Sequence, residues 1–142
     1  MTGPFVGVSA IVTRGDAVLL GLRRGAHGAG TWAFPGGKVD PGEPPGEAVR
    51  RELVEETGLI ARAIEPVHWT SDVFEEDGLH YITLHHLVDA EGEPAVLEAE
   101  KVQEWRWCAW DDLPTPLFGP AVSLIEGGWR PGHASMRDRT MP

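Results

Sequence analysis

One segment, from about Pro45 to Thr57, most constrains the fold of this chain. It begins with a proline, which is tolerated in the first turn of a helix, and no helix breaker occurs from Ala48 to Glu56. Gly58 follows directly, and glycine can adopt the positive φ that often ends a helix. The sequence therefore predicts a central helix between two loops, around which the remaining segments have to pack.

Three glutamates lie on one face of this predicted helix. Glu52, Glu55 and Glu56 are spaced i, i+3 and i+4, which brings their Cβ atoms within about 6 Å of each other. Such like charges destabilise a helix, and the nearest cations, Arg50 and Arg51, lie off that face. A solvated acidic face is the simplest interpretation. A glycine pair upstream, with an exposed carbonyl, favours a cluster of oxygen ligands for Mg²⁺ or Mn²⁺ instead.

The segments that flank the helix are rich in strand-forming residues separated by turns. The run 35–37, Pro-Gly-Gly, predicts a turn. Short strands with one central and one C-terminal helix predict a single mixed α/β domain over residues 1–142, with a loose tail at about 130–142. The predicted strands cover about 5–12, 17–22, 32–34, 64–74, 79–89 and 103–109, and the second helix covers 118–125.

Composition limits the partners and the compartment. The formal charge of −10 repels long polyanions such as nucleic acids and anionic membranes. A small phosphorylated ligand remains compatible if a divalent cation mediates its binding. The single cysteine, Cys108, excludes an intrachain disulfide. Neither an apolar membrane span nor a signal peptide is evident, so we expect a cytoplasmic protein without nucleic-acid or membrane partners.

The helix and the loop before it carry a spaced motif that is typical of one family. The pattern G-x5-E-x7-R-E-U-x-E-E-x-G-U, with U a bulky aliphatic residue, is the Nudix box, and the chain fits it at all nine specified positions. The GTWAFPGG stretch before the box and EWRW-x3-DDLP after it also resemble this family. The matching residues are Gly37, Glu43, Arg51, Glu52, Leu53, Glu55, Glu56, Gly58 and Leu59.

The resemblance implies a Nudix fold, an α/β/α sandwich around a mixed β-sheet. It also implies a metal-dependent pyrophosphohydrolase that uses Mg²⁺, with Mn²⁺ as a substitute. Glu52 and Glu56 would be metal ligands, joined by Glu55 and by the backbone carbonyl of Gly36. A glutamate of the helix would also take the proton from the attacking water, and Glu52 is our first choice for that base.

The resemblance further assigns residues around the acidic helix. Arg51 and Glu43 are expected to be structural, the arginine holding Glu43 and ordering the loop before the helix. Many relatives recruit one more glutamate from a loop beyond the box. Glu98 and Glu100 both lie at that place, and we favour Glu100 as the additional metal ligand; ordinary exposed loop charge is the alternative for both.

Basic, aromatic and histidine side chains near the box are the candidates for substrate binding. A basic group can contact a phosphate, and an aromatic ring can flank a base. Solvated surface for the basic residues and core packing for the aromatic residues are the alternatives. The candidates are Arg23, Arg24, His27, Trp32, Phe34, Lys38, Tyr81 and Phe118.

Three further histidines occur in the predicted strand at 79–89. Alternation along a strand puts His80 and His86 on one face and His85 on the other, which argues against a shared zinc site. We interpret them as sheet histidines, one of which is a candidate to line the pocket.

The flanking sequences most resemble MutT-related enzymes of the family. We therefore predict hydrolysis of a nucleoside triphosphate, or of a modified deoxynucleoside triphosphate, to a monophosphate and pyrophosphate. A nucleotide-sugar or dinucleotide diphosphatase is the alternative among enzymes, and a non-catalytic ligand-binding or regulatory module is the alternative outside them. Many relatives are dimers, so a homodimer is a further expectation.

Overall fold

A computed structural model of the chain describes residues 1–25 and 27–132. Apart from residues 130–132, the predicted loose tail lies outside this range. Neither helix in the described part is long and apolar enough to cross a membrane. The elements are β1 (Thr2–Arg14), β2 (Ala17–Arg23), β3 (Trp32–Ala33), β4 (Gly36–Lys38), α1 (Pro45–Thr57), β5 (Ile60–Phe74), β6 (Leu79–Glu91), β7 (Val102–Ala109) and α2 (Gly119–Glu126).

The strands form one mixed sheet with the long strand β1 at its centre. The order is β3-β2-β1-β6-β5, with β4 added to β1 and β7 added to β2. β1 and β6 run parallel over most of their length, from Phe5 opposite Tyr81 to Val12 opposite Val88. The β5–β6 and β2–β7 pairs are antiparallel. The sheet is therefore mixed, as the sequence predicts.

The two helices cover opposite faces of this sheet. Alternate side chains of a strand point to opposite faces. On β1, Val8, Ala10 and Val12 share a buried cluster with residues of α1, whereas Ile11 belongs to a second cluster with residues of α2. The structure thus has a helix layer on each side of the sheet, and the predicted α/β/α sandwich is confirmed.

The ends of α1 lie where the sequence predicts them. Pro45 stands at the start of the helix, and no side chain caps that end. Gly58 ends it with φ 79° and donates its N–H to the carbonyl of Val54. Thr57 reinforces this end, since its hydroxyl donates to the Leu53 carbonyl and accepts the N–H of Leu59. The helix is therefore fixed at its C-terminal end by glycine and threonine together.

The predicted turn at residues 35–37 is confined to a bend at Pro35 and is wrong for the two glycines. Gly36–Lys38 forms strand β4, which pairs antiparallel with Gly7–Ser9 of β1. A Cβ at Gly36 would collide with the backbone carbonyl of Val8, so glycine here permits a close approach of two strands. Strand β5 also begins at Ile60, earlier than the predicted residue 64. In both places long-range pairing, which a local pattern does not contain, determines the conformation.

Candidate active site

The Gly36–Gly37 pair of β4 lies directly against the acidic face of α1. The Gly36 N–H donates to Oε1 of Glu56 at 3.0 Å. A Cβ on Gly37 would lie 2.5 Å from the Glu52 carboxyl group. A side chain at Gly37 would therefore displace the Glu52 carboxyl group, whereas one at Gly36 would collide with β1. The glycine pair thus lets β4 lie close to both its neighbouring strand and the acidic face of the helix.

Glu56 and Glu52 form a partly desolvated acidic pair. Glu56 is only 8% exposed. Burial, followed by the charge of Glu52, raises the pKa of Glu56 to about 8. Burial also raises the pKa of Glu52, against the opposing effect of its hydrogen bond from Arg51. Two carboxylates held together at low solvation favour binding of a proton or a metal cation.

Arg51 organises the loop before the helix and one side of the acidic face. Its guanidinium donates from Nε and Nη2 to the two oxygens of Glu43, at 2.8 and 3.0 Å. This bidentate contact, followed by a hydrogen bond from the Asp40 N–H, lowers the pKa of Glu43 to about 2. Nη1 donates to Glu52 at 2.9 Å and approaches the half-exposed Glu55 at 3.4 Å. The contact expected between Arg51 and Glu43 is therefore present.

The loop beyond the box brings Glu98, rather than Glu100, to the acidic face. Oε1 of Glu98 is buried without a hydrogen-bond partner in the described part of the chain. The charge of Glu98 also contributes to the raised pKa of Glu56. Glu100 is exposed, in a turn closed by the Lys101 N–H donating to the Glu98 carbonyl. The geometry thus does not support our preference for Glu100.

The acidic residues fit a divalent cation chemically, although they do not already enclose one. Among residues 1–25 and 27–132, no three acidic, histidine or cysteine side chains are arranged as a metal cage. Arg51 donates to Glu52 and approaches Glu55. The buried Oε1 of Glu98 has no hydrogen-bond partner in the described part of the chain, while its Oε2 lies 3.6 Å from Nζ of Lys101. Hard oxygen ligands of this kind are those that Mg²⁺ accepts.

A cavity of about 140 Å³ opens on the other side of the glycine pair, between the sheet and the start of α2. Gly36 and Gly37 line it, so the cavity and the acidic helix face share one wall. Six of the predicted substrate residues line this cavity. They are Arg23, His27, Phe34, Lys38, Tyr81 and Phe118.

Aromatic contacts position the cations at the cavity. The guanidinium of Arg23 lies 4.1 Å from the ring centre of Phe118, and it donates to the carbonyl of His27. Nζ of Lys38 lies 4.4 Å from the ring centre of Phe5. Such cation–π contacts hold a long basic side chain in place while its charge stays available to an anion.

A hydrogen bond closes one side of the cavity. Nδ1 of His27 lies 2.8 Å from Oδ2 of Asp77, in the turn between β5 and β6. The His27 ring also contacts Phe74 edge-to-face, with 4.4 Å between the ring centres. The glycine-rich loop that follows β2 is therefore tied to the opposite rim.

Two predicted substrate residues do not line the cavity. Trp32 is 6% exposed and packs in the core, with the Arg106 guanidinium 4.5 Å from its ring centre. Arg24 is exposed and donates to the carbonyl of Ala99 at 3.2 Å. Local sequence could not place either side chain, because their surroundings come from β7 and from the loop before it.

Sequence reasoning also missed polar and aromatic residues of the cavity wall. Ser9, Phe74 and Thr83 line the cavity, and His85 is the sheet histidine that lines it. The available signal was weak: a polar residue inside a buried strand. These side chains lie together in the cavity wall because of the register between β1, β5 and β6.

Comparison with known proteins agrees with this geometry. The NUDIX domain family model matches residues 3–126, and the chain belongs to the Nudix family of hydrolases. The CTP pyrophosphohydrolase of Escherichia coli K12 is 37% identical over 123 residues, covering 84% of this chain and 87% of the relative. The oxidized purine nucleoside triphosphate hydrolase of Mus musculus is 34% identical over 137 residues, covering 91% and 85%.

Solved structures are similar as well. The crystal structure of a MutT NUDIX hydrolase from Burkholderia pseudomallei superimposes with a TM-score of 0.82 at 35% identity, covering 87% of this chain and 98% of that one. The solution structure of the E. coli ORF135 protein gives a TM-score of 0.70 at 32% identity, covering 86% of each chain.

The Arg51–Glu43 contact predicts an acid-dependent loss of stability. The pKa of Glu43 is about 2 in the folded protein, against an ordinary value of 4.5. The unfolded chain therefore takes up the proton first, so the stabilisation is complete above pH 4.5 and is lost as the pH falls toward 2. We expect the free energy of unfolding to fall more steeply over this range in the wild type than in Glu43→Gln. Urea titrations from pH 7 to 3 measure this, and parallel profiles would show that the contact does not stabilise the fold.

Proposed function

We propose that this Nudix hydrolase converts a nucleoside triphosphate, or a modified deoxynucleoside triphosphate, into a monophosphate and pyrophosphate. One observation carries the proposal: Gly36 and Gly37 contact the acidic pair on one side and line an aromatic, cationic cavity on the other. A nucleoside in the cavity would thus place its phosphates beside the acidic helix. The two enzymes named above, whose names specify nucleoside triphosphates, support the same substrate class.

The acidic residues would hold the metal. We propose Mg²⁺, with Mn²⁺ as a substitute, on Glu52, Glu55, Glu56 and the carbonyl of Gly36, with Glu98 in place of Glu100. When bound, the cation supplies positive charge to the phosphoryl oxygens. Arg51 contacts one oxygen of Glu52 and both oxygens of Glu55, so metal binding by Glu55 would compete with its contact to Arg51.

The protein's own groups would then complete the reaction. Glu52 is the proposed base that takes the proton from the attacking water. Because Arg51 keeps its two hydrogen bonds to Glu43, it would remain in place when Glu52 turns to the metal. The contact with Glu43 in the loop, and not the contacts with the carboxylates of the helix, would therefore hold Arg51 in position.

The cavity lining divides into two parts. Arg23 and Lys38 are the proposed phosphate contacts, since both are basic side chains at the cavity wall. Phe34, Tyr81 and Phe118, with His27, are the proposed contacts of the base. Phe74 joins this group as an addition, because its ring stacks on Phe118 with 5.6 Å between the centres. A homodimer and a cytoplasmic location stay predictions.

Product analysis tests the substrate class. A panel of nucleoside triphosphates, nucleotide sugars and dinucleoside polyphosphates is incubated with Mg²⁺, and pyrophosphate and orthophosphate are measured separately. We expect at least one triphosphate to give monophosphate and pyrophosphate in equal amounts. Rapid turnover of a nucleotide sugar or a dinucleotide, with every triphosphate inert, would replace this proposal by the other diphosphatase activity. Binding without turnover of any compound would favour a non-catalytic module.

A matched pair of variants tests which loop glutamate contacts the metal. Glu98→Gln and Glu100→Gln each remove one charge and differ by two positions. We expect Glu98→Gln to raise the Mg²⁺ concentration that gives half-maximal activity by about 10- to 100-fold, the range typical of groups that support a metal site. Glu100→Gln should match the wild type. The opposite result, with Glu100→Gln alone impaired, would restore the choice made from the sequence.

A further inference from the structure

A chain of three hydrogen-bonded side chains forms part of the cavity wall on the sheet side. Oγ of Ser9 lies 2.6 Å from Nδ1 of His85, and Oγ1 of Thr70 lies 2.8 Å from Nε2 of the same ring. The ring is fully buried. Ser9 and His85 both line the cavity, whereas Thr70 lies behind them on β5. The histidine thus connects a hydroxyl in the cavity with a hydroxyl outside it.

The ring is held neutral, and both of its neutral forms are satisfied. Burial lowers the pKa of His85 to about 4, so one ring nitrogen carries a proton at neutral pH and the other does not. A hydroxyl group can donate or accept. Either nitrogen can therefore be the donor, because each faces a hydroxyl that adapts to it. The two tautomers have the same number of protons and the same charge.

The choice of tautomer determines what Ser9 offers to a ligand. With the proton on Nδ1, the ring donates to Ser9, and the serine O–H is free to donate into the cavity. With the proton on Nε2, the ring donates to Thr70 and accepts the serine O–H at Nδ1. The lone pairs of Ser9 are then free to accept from a ligand.

The chemistry of this wall matches the base of a nucleotide better than its phosphates. Ser9, His85 and Thr70 carry no charge at neutral pH, whereas Arg23 and Lys38 supply permanent cations elsewhere in the described lining. The edge of a nucleobase is neutral, and one carbonyl or one amino group on it can form a hydrogen bond with a single hydroxyl.

We propose that Ser9 is a specificity-determining residue that hydrogen bonds to the edge of the nucleobase, and that His85 lets it match either a carbonyl oxygen or an amino group. The substrate class is then nucleoside triphosphates of both oxo and amino bases at the recognised position. This inference rests on the proposed function and adds which side chains recognise the carbonyl or amino group of the base.

Thr70→Val tests the role of the outer hydroxyl. It leaves Nε2 without a partner, and a buried unpaired N–H is the rarer, less favourable state, so the proton should move to Nδ1. Ser9 then becomes a fixed donor. We expect the ratio of kcat/KM for oxo over amino bases, measured as UTP over CTP and ITP over ATP, to rise by about 2- to 13-fold in the pair that is recognised, equivalent to one hydrogen bond of 0.5–1.5 kcal/mol.

Two further variants define the effect. Ser9→Ala should lower kcat/KM for both members of a pair by a similar factor, because the contact is lost in both tautomers. Ser71→Ala is the matched control, since it removes a hydroxyl 2.8 Å from Nε2 of the exposed His80, away from the cavity. It should leave the ratio unchanged.

A spectroscopic measurement on the wild type makes the test independent of variant stability. The ¹⁵N shifts of the His85 ring report its tautomer, and UMP and CMP, or IMP and AMP for a site that recognises purines, serve as probes that are not turned over. We expect Nδ1 to be protonated with the oxo base and Nε2 with the amino base. The inference about Ser9 and His85 fails, and the proposed hydrolysis stands, under one combination of results: triphosphates are hydrolysed, the ring keeps one tautomer with both probes, and Thr70→Val keeps the wild-type ratio. If no nucleotide binds, both the inference and the proposed function fail.

Discussion

The structure depends on the close approach of the Gly36–Gly37 strand to the acidic face of α1. The Gly36 N–H binds Glu56, and the missing side chain of Gly37 leaves the space that the Glu52 carboxyl occupies. Two carboxylates are thereby placed side by side with little water, which raises the pKa of both. Strongly shifted pKa values of this kind cluster at functional sites.

The same two glycines connect the acidic site to the cavity. Because strand β4 is a single backbone layer, groups on its two sides stay close together, with the carboxylates on one and the aromatic and cationic lining on the other. Arg51 fixes the helix side through Glu43, and the His27–Asp77 contact fixes the rim of the cavity. In the proposed function, the hydrolysis would therefore take place at the helix, and the cavity wall would contact the base.

The sequence predicted what depends on local spacing and missed what depends on strand register. The helix and its glycine end follow from the local sequence, and the Arg51–Glu43 contact follows from the family resemblance; the structure contains all three. Glu98, and not Glu100, lies near the acidic face because the turn before β7 exposes the second residue, which spacing does not show. Trp32 lies against the side chain of Arg106 from β7, a contact that local spacing also does not show. The Ser9–His85 contact requires the parallel register of β1 and β6, which no local pattern contains.

The central claim is that the acidic face of α1 is a divalent-cation site, and direct metal binding tests it best. Calorimetric titration with Mn²⁺ compares the wild type with Glu56→Gln and with Glu47→Gln, an exposed position in the first turn of the same helix. The account predicts that Mn²⁺ binds the wild type and Glu47→Gln equally, and Glu56→Gln at least about tenfold more weakly. Equal binding by all three proteins, or none by the wild type, would contradict it.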